Sequence, residues 1–347
     1  MKERRRFLSR TAALGLVSAS WPWMLHSTAQ AQSLLRVAIA VPGPGNLLFL
    51  PITLASKLGT DRAEGITLDI RYVGGGPQAY RDMLERNTDF AAGGLAALAL
   101  QKLSGKPVVG IVPTTRVPAY TLLVRMGLKG RVNAIKDLDG KVVGVKGHVP
   151  GGRSTSQLFA EYVIARGAGI KPDAVNYVSV GQNYNNQHAA LASGTVDAIM
   201  GDEPFASRLV KENVAFVLAD YHDLETTREQ MGGLFLNGSV ATREDVIDSR
   251  PELVGKVVRA VARTLAWMDT HSARDMVDAL GLQDPMEQSA LLDVLKVQKR
   301  IYSPDGRISD SQVASVTRFL RATELTPAAQ RFDVKSLVNA RWAGTAP

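Results

Sequence analysis

The residues of this chain that could do chemistry lie mostly in its glycine-rich loops. Gly147-His148-Val149-Pro150-Gly151-Gly152-Arg153-Ser154 has the spacing G-x-x-x-x-G-R-S, a phosphate-cradling loop with its lysine replaced by arginine. That lysine normally reaches the β- and γ-phosphates, so nucleotide hydrolysis is not indicated and anion capture is what survives. Arg153, Ser154, Thr155 and Ser156 offer a cation, hydroxyls and backbone N–H groups at a helix start, enough for a sulfonate, nitrate or carboxylate oxygen. N-capping by Ser154 without any ligand accounts for the same segment equally well. Similar loops occur at Val41-Pro42-Gly43-Pro44-Gly45-Asn46, Gly74-Gly75-Gly76, Gly93-Gly94 and Thr114-Thr115-Arg116. Glycine there lets backbone N–H groups approach a ligand closely, although tight turns use the same residues. Arg116 and Arg125 are further cationic candidates, and Phe49, Tyr80, Tyr120, Tyr184 and Phe205 are candidate apolar walls with core packing as the alternative.

Groups that break bonds are scarce. The chain has no Cys, which excludes disulfides, thiolate metal sites and a Cys nucleophile. His148, His188, His222 and His271 have no metal-ligand spacing, and G-x-S-x-G is absent. Asp202-Glu203 is the one acidic pair at a strand end, and it reads as a helix cap or a ligand contact rather than an acid and a base. Neither a metal nor a cofactor is expected.

These loops must be positioned by strands. Leu35 to Val41, Ile66 to Val73, Val108 to Val112, Val142 to Val145, Val175 to Val180 and Val214 to Leu218 read as strands. Helical patterns lie between them at Pro77 to Glu85, Leu95 to Leu103, Ser156 to Arg166, Asn185 to Leu191 and Pro204 to Lys211. The class is α/β with largely parallel sheets, and ligands in such sheets sit beyond the carboxyl ends of the strands, where the loops above lie. After Thr242 only helices are expected, over Pro251 to Leu280, Met286 to Ile301 and Asp310 to Arg321. An internal echo links Val73-Gly74-Gly75 and Asp89-Phe90-Ala91-Ala92-Gly93 to Val180-Gly181-Gln182 and Asp197-Ala198-Ile199-Met200-Gly201. In both, a strand, a glycine loop and a helix lead to a short strand opening on Asp, which predicts two similarly wound lobes. Length agrees, since 347 residues exceed the roughly 250 to 300 at which single cores split.

The net charge of +8 does not point to nucleic acid. Lys2, Arg4, Arg5, Arg6 and Arg10 crowd the first ten residues against Glu3 alone, leaving 36 basic and 32 acidic residues elsewhere with no like-charge run. This cationic start, the short apolar stretch Thr11 to Leu25 and the small residues of Ala29-Gln30-Ala31 form a secretory signal over 1–31. Arg4-Arg5-Arg6-Phe7-Leu8-Ser9 resembles the twin-arginine export signal. A periplasmic location is expected, with the mature chain beginning near Gln32. Thr11 to Leu25 falls short of the roughly 20 apolar residues of a membrane span.

A larger set of segments resembles a known family: the substrate-binding proteins of ABC importers for nitrate, taurine and alkanesulfonates. The set comprises Leu35-Arg36-Val37-Ala38-Ile39, Gly74-Gly75-Gly76, Asp89-Phe90-Ala91-Ala92-Gly93, Gly105-Lys106-Pro107-Val108, Ile135 to Val145 and Gly201-Asp202-Glu203-Pro204-Phe205. The resemblance implies a type II periplasmic-binding fold: two doubly wound α/β lobes joined by a two-strand hinge, with a helical C-terminal region. It places lobe I at 34–118 plus 232–330 and lobe II at 119–231, with crossovers near Pro118 and Gly232 to Gly233. It also implies ligand contacts from Pro44, Gly45, Asn46, Gly75, Gly76, Gly94, Leu95, Thr114, Thr115, Ser154, Thr155, Ser156, Gln182, Asn183 and Glu203, to which the loop reading adds Arg153. Relatives often have Trp before Glu-Pro where this chain has Asp202. The implied function is capture of a small anion or anionic organic molecule by hinge closure and delivery to an ABC permease, by a monomer. A neutral or aromatic ligand such as a thiamine-precursor pyrimidine is an alternative, as is an enzyme on the same fold. Arg153→Ala is expected to separate an anion from a neutral ring.

Overall fold

The computed structural model describes residues 34–146, 153–171, 174–323 and 326–343. The expected signal segment at 1–31 and His148 lie outside the described residues.

Among the described residues, ten strands form two five-stranded sheets. They are β1 (Leu35–Pro42), β2 (Ile66–Val73), β3 (Phe90–Gly94), β4 (Val108–Pro113), β5 (Thr121–Arg125), β6 (Val142–Val145), β7 (Asn176–Ser179), β8 (Ala198–Gly201), β9 (Ala215–Asp220) and β10 (Gly238–Arg243). The first sheet has the order β2-β1-β3-β10-β4 and the second β7-β6-β8-β5-β9. The chain passes from the first sheet to the second between β4 and β5 and returns between β9 and β10. Both sheets therefore have one pattern: a strand arriving from elsewhere in the chain is inserted, antiparallel, beside the last strand of a parallel set. The echo seen in the sequence falls at equivalent places, β2 to β3 in one sheet and β7 to β8 in the other.

The sheets are mixed, which corrects the expectation of largely parallel ones. β5 and β10 were not foreseen because neither shows the period-2 alternation of a half-buried strand. Gly238-Ser239-Val240-Ala241-Thr242-Arg243 is buried at every position, so both of its faces meet protein and alternation has no reason to exist. Its terminal Arg243 is 4% exposed, and its guanidinium donates to the Met83 and Thr88 carbonyls at 2.5 and 3.1 Å and to Asp245 at 3.0 Å.

The helical C-terminal region follows β10 as expected. The single helix expected over Pro251 to Leu280 is two, Pro251–Thr270 and Ala273–Leu280. Ser272 and Asp275 form a capping box that satisfies the N–H groups of a new helix start, and this stops the first helix. Val254, Val257, Val258, Val261 and Leu265, spaced by three and four, are fully buried and seat the first helix on the core. The stretch expected to be helical over Met286 to Ile301 is α-helical over Pro285–Gln298 and tightens to a 3₁₀ turn at Lys299–Ile301.

Two hydrophobic clusters underlie the sheets. The smaller, around Leu123, Leu191, Ile199 and Leu209, lies between the second sheet and the helices Tyr184–Ala192 and Phe205–Lys211. The larger runs from the first sheet through the C-terminal helices into helix Thr155–Ala168. Phe159 of that helix is its aromatic centre, with ring centroids 5.0 Å from Tyr221, 5.4 Å from Tyr120, 6.1 Å from Phe319 and 6.2 Å from Phe235. Tyr120 and Tyr221 flank the segments where the chain changes sheets, so this cluster ties the two crossovers to the C-terminal helices.

Candidate functional site

A cleft with a cavity volume of about 30 Å³ lies where strand-end loops of both sheets meet. From the first sheet's side come Pro42, Asn46, Leu48, Phe49, Gly76, Gly94 and Ala97, and from the second's Tyr120, Lys146, Ser154, Thr155, Ser156 and Gln182.

Three helix starts converge on it: Gly76–Leu84, Leu95–Leu103 and Thr155–Ala168. The first two have no capping side chain of their own. Each N-terminus carries about half a positive charge in its unpaired N–H groups, so together they favour negative charge. The third is capped by Ser154, whose Oγ accepts from Gln157 N at 3.2 Å and lies 3.0 Å from Ser156 Oγ. Ser156 Oγ accepts from Lys146 N at 3.0 Å and donates to Lys146 O at 3.2 Å, which pins the backbone of the cleft lysine.

Contacts already cross the cleft. Thr155 Oγ1 accepts the Ala97 N–H at 3.1 Å, capping from the second sheet's side a helix that belongs to the first. The approach is so close that a Cβ on Gly94 would stand 2.0 Å from that oxygen, which is why glycine is required there. Leu47 N donates to Glu203 O at 3.4 Å, and a Cβ on Gly43 would stand 3.1 Å from Gln182 Cβ.

The cleft's cation is Lys146, 4% exposed, whose ammonium pairs with Asp202, 1% exposed. Burial pushes the Lys146 amine down, to about 7, because the charged form loses its water. The carboxylate of Asp202 works in the other direction by favouring the ammonium. Among aromatic candidates, Phe49 and Tyr120 line the cleft, while Tyr80, Tyr184 and Phe205 do not. Tyr80 is fully buried behind the wall and donates to Gly94 O at 3.0 Å, and burial raises its hydroxyl far above the usual range.

Of the expected contact residues, the structure brings Asn46, Gly76, Gly94, Ser154, Thr155, Ser156 and Gln182 to the cleft. Gly75 and Leu95 are buried neighbours of lining residues, and Pro44 and Gly45 are exposed beside Asn46. Thr114 and Thr115 do not line it: Thr114 Oγ1 donates to Leu48 O at 2.6 Å and Thr115 Oγ1 accepts Gly238 N at 2.9 Å, so both fasten loops behind the wall. Asn183 caps the helix Tyr184–Ala192 through Asn186 N at 2.9 Å. Glu203 caps the helix Phe205–Lys211, accepting from Ser207 N at 3.0 Å and Ser207 Oγ at 2.9 Å, and receives Gln298 Nε2 at 3.3 Å.

Arg153 is also outside the lining. Its Nη1 donates to Glu161 Oε2 at 2.7 Å, and Gln157 holds the other Glu161 oxygen at 3.0 Å. The loop reading missed Leu48, Ala97 and Lys146, and for Lys146, the first position after β6, the strand-end rule was the available signal. Arg153→Ala should therefore change anion affinity less than about threefold by calorimetric titration, in contrast to the strong loss expected from the loop alone. A tenfold loss would return Arg153 to the ligand.

Among the described residues, no group of three His, Asp or Glu could hold a metal ion, and no helix is long and apolar enough to cross a membrane.

A family model described as NMT1/THI5 like matches residues 46–274, about two thirds of the chain. The chain is 23% identical over 316 residues to "Putative binding protein YtlA" of Bacillus subtilis (strain 168), covering 88% of this chain and 89% of that one. A structure of a Bordetella bronchiseptica RB50 protein superimposes with a TM-score of 0.80 at 23% identity, over 89% of this chain and 95% of the other. The alkanesulfonate-binding protein SsuA of Xanthomonas axonopodis pv. citri, bound to MOPS, gives 0.66 at 18% identity over 88% and 98%. The two-sheet architecture with its helical C-terminal region is thus the periplasmic-binding fold.

Proposed function

The chain belongs to the NMT1/THI5-like family, and from that premise we propose that it is the substrate-binding protein of an ABC importer, taking up a small organic anion. The observation that carries the reading is the convergence of three helix starts and Lys146 on one cleft between the two sheets. Phe49, Leu48 and Tyr120 suit an apolar body behind a sulfonate or carboxylate headgroup. The hydroxyls of Ser154 and Ser156 and the amides of Asn46 and Gln182 suit its oxygens.

In this reading each sheet is the centre of a lobe, 34–118 plus 232–330 and 119–231, and the two crossovers are the hinge. Contacts such as Thr155 to Ala97 exist only when the lobes are together, and a ligand bridging both sides stabilises that state. No bond in the ligand is broken. The chain is exported to the periplasm by its twin-arginine-type signal, acts as a monomer and hands its cargo to a membrane permease.

The test is thermal unfolding of the purified protein against nitrate, taurine, alkanesulfonates, aliphatic and aromatic carboxylates and thiamine pyrimidines. Ligand at a hundred times its Kd should add about 2.7 kcal/mol, a rise of several degrees. A response to a neutral pyrimidine and to no anion would overturn the anion reading.

Affinity should also depend on pH. An anion is met by the protonated Lys146, and burial brings the point at which the free protein loses that proton down toward about 7, against the pull of Asp202. Kd should be flat below that point and rise by up to about tenfold per pH unit above it. Calorimetric titration showing the same Kd on both sides of that point would remove Lys146 from the ligand's surroundings.

A further inference from the structure

Resting on the anion reading above, we propose that the Lys146–Asp202 pair sets the charge class of the ligand, admitting a singly charged headgroup and refusing a doubly charged one. Lys146 lines the cleft, and Asp202 lies against its ammonium without lining the cleft itself. The incoming ligand therefore meets a cation with an anion directly behind it, a pair whose net charge is zero. Among the described residues, no donor other than the Lys146 ammonium reaches either oxygen of Asp202, so the ammonium alone offsets its charge. Among the described residues, the other titratable side chain on the cleft wall is Tyr120, held neutral by burial, and the Arg153–Glu161 pair lies outside the lining.

The positive potential left for a ligand is that of the helix starts. Each is worth about half a charge, and three of their N–H donors are already taken, Leu95 N by the Asn237 carbonyl, Ala97 N by Thr155 and Gln157 N by Ser154. That sum matches one negative charge. A second would be buried without a partner, facing Asp202 across the lysine, and an unpaired buried charge is strongly disfavoured. Asp202 is thus a positioning and selectivity residue that acts through Lys146.

The test compares methanesulfonate, nitrate and acetate with sulfate, by thermal shift and calorimetric titration at about pH 6, where Lys146 is protonated. The wild-type protein should respond to a monoanion and not to sulfate. Asp202→Asn should lower this discrimination at least tenfold through a gain for sulfate, and Asp202→Glu should keep it. Lys146→Met leaves Asp202 alone and should weaken the monoanion at least thirtyfold. The double variant Lys146→Met with Asp202→Asn restores a neutral pair and should recover at least tenfold of that loss. Should Asp202→Asn fail to fold, the last two variants carry the comparison.

An unchanged discrimination in folded Asp202→Asn, or a double variant no better than Lys146→Met, overturns the proposal. A wild-type protein that binds sulfate as well as the monoanion overturns it while leaving the anion reading intact. A wild-type protein that binds no anion and does bind a neutral pyrimidine overturns both.

Discussion

Replacing Gly94 by alanine is expected to weaken ligand binding about a hundredfold, some 2.7 kcal/mol, while hardly changing the stability of the empty protein. Gly94 has φ −76° and ψ 133°, a conformation open to any residue, so the added methyl group introduces no backbone strain. What stops it is the opposite wall: its Cβ would stand 2.0 Å from Thr155 Oγ1 and 2.4 Å from Thr155 Cβ. Neither atom is the far end of a flexible chain. An opened cleft relieves the clash, so the variant folds but cannot close, and the bond from Ala97 N to Thr155 is lost with closure. Adding Thr155→Gly removes both clashing atoms and should restore part of the affinity. A variant that loses several degrees of thermal stability when empty and keeps its affinity would show that Gly94 and Thr155 are permanently in contact.

The largest stability effect should come from Phe159→Ala. The ring is fully buried among Tyr120, Tyr221, Phe235 and Phe319, with a sixth ring, Tyr162, at 6.4 Å. Removing it takes away the transfer free energy of a whole aromatic side chain and leaves a cavity that five rigid neighbours cannot easily fill, a loss of about 3 to 5 kcal/mol. In a protein of this size that is a fall in Tm on the order of 8 °C or more. The residue does not itself line the cleft and touches it only through Tyr120, so affinity measured well below the new Tm should change less than stability. Denaturant unfolding that shows a loss under about 1 kcal/mol would mean the crossovers and the C-terminal helices are not held through this ring.

Much of the fold was legible because hydrophobic pattern and position agree in it. β1, β2, β4 and β6 stand where β-branched runs lie between glycine loops, and Leu95–Leu103 is helical over the residues that its pattern marks. β5 and β10 were not legible. A strand inserted into the middle of a sheet is buried on both faces and loses its alternation, and Gly238-Ser239 at the head of β10 reads as a turn.

The site was legible in outline for a similar reason, since the strand-end rule locates loops. It does not say which way a side chain in a loop points. Thr114 and Thr115 sit at the right strand end and turn back to Leu48 and Gly238. Arg153 looked like the clamp because it is the arginine in the glycine-rich loop, yet Glu161, eight residues on and 6% exposed, holds it. Lys146 is the converse, an unremarked lysine whose partner Asp202 comes from another strand end far along the chain. Pairing across a fold is set by tertiary packing, which a single sequence does not display.

The central claim is that two halves of this chain close on a ligand, and the distance between them can be measured directly. Because the chain has no Cys, spin labels can be placed without side reactions at Lys57→Cys, exposed on a helix beside the first sheet, and Lys211→Cys, exposed on a helix beside the second. Pulsed electron resonance should give a broad distribution of distances for the empty protein and one narrow, shorter distance with a saturating anion identified by the thermal panel. An unchanged distribution under saturation, with binding confirmed by calorimetry, would contradict closure as the means of capture.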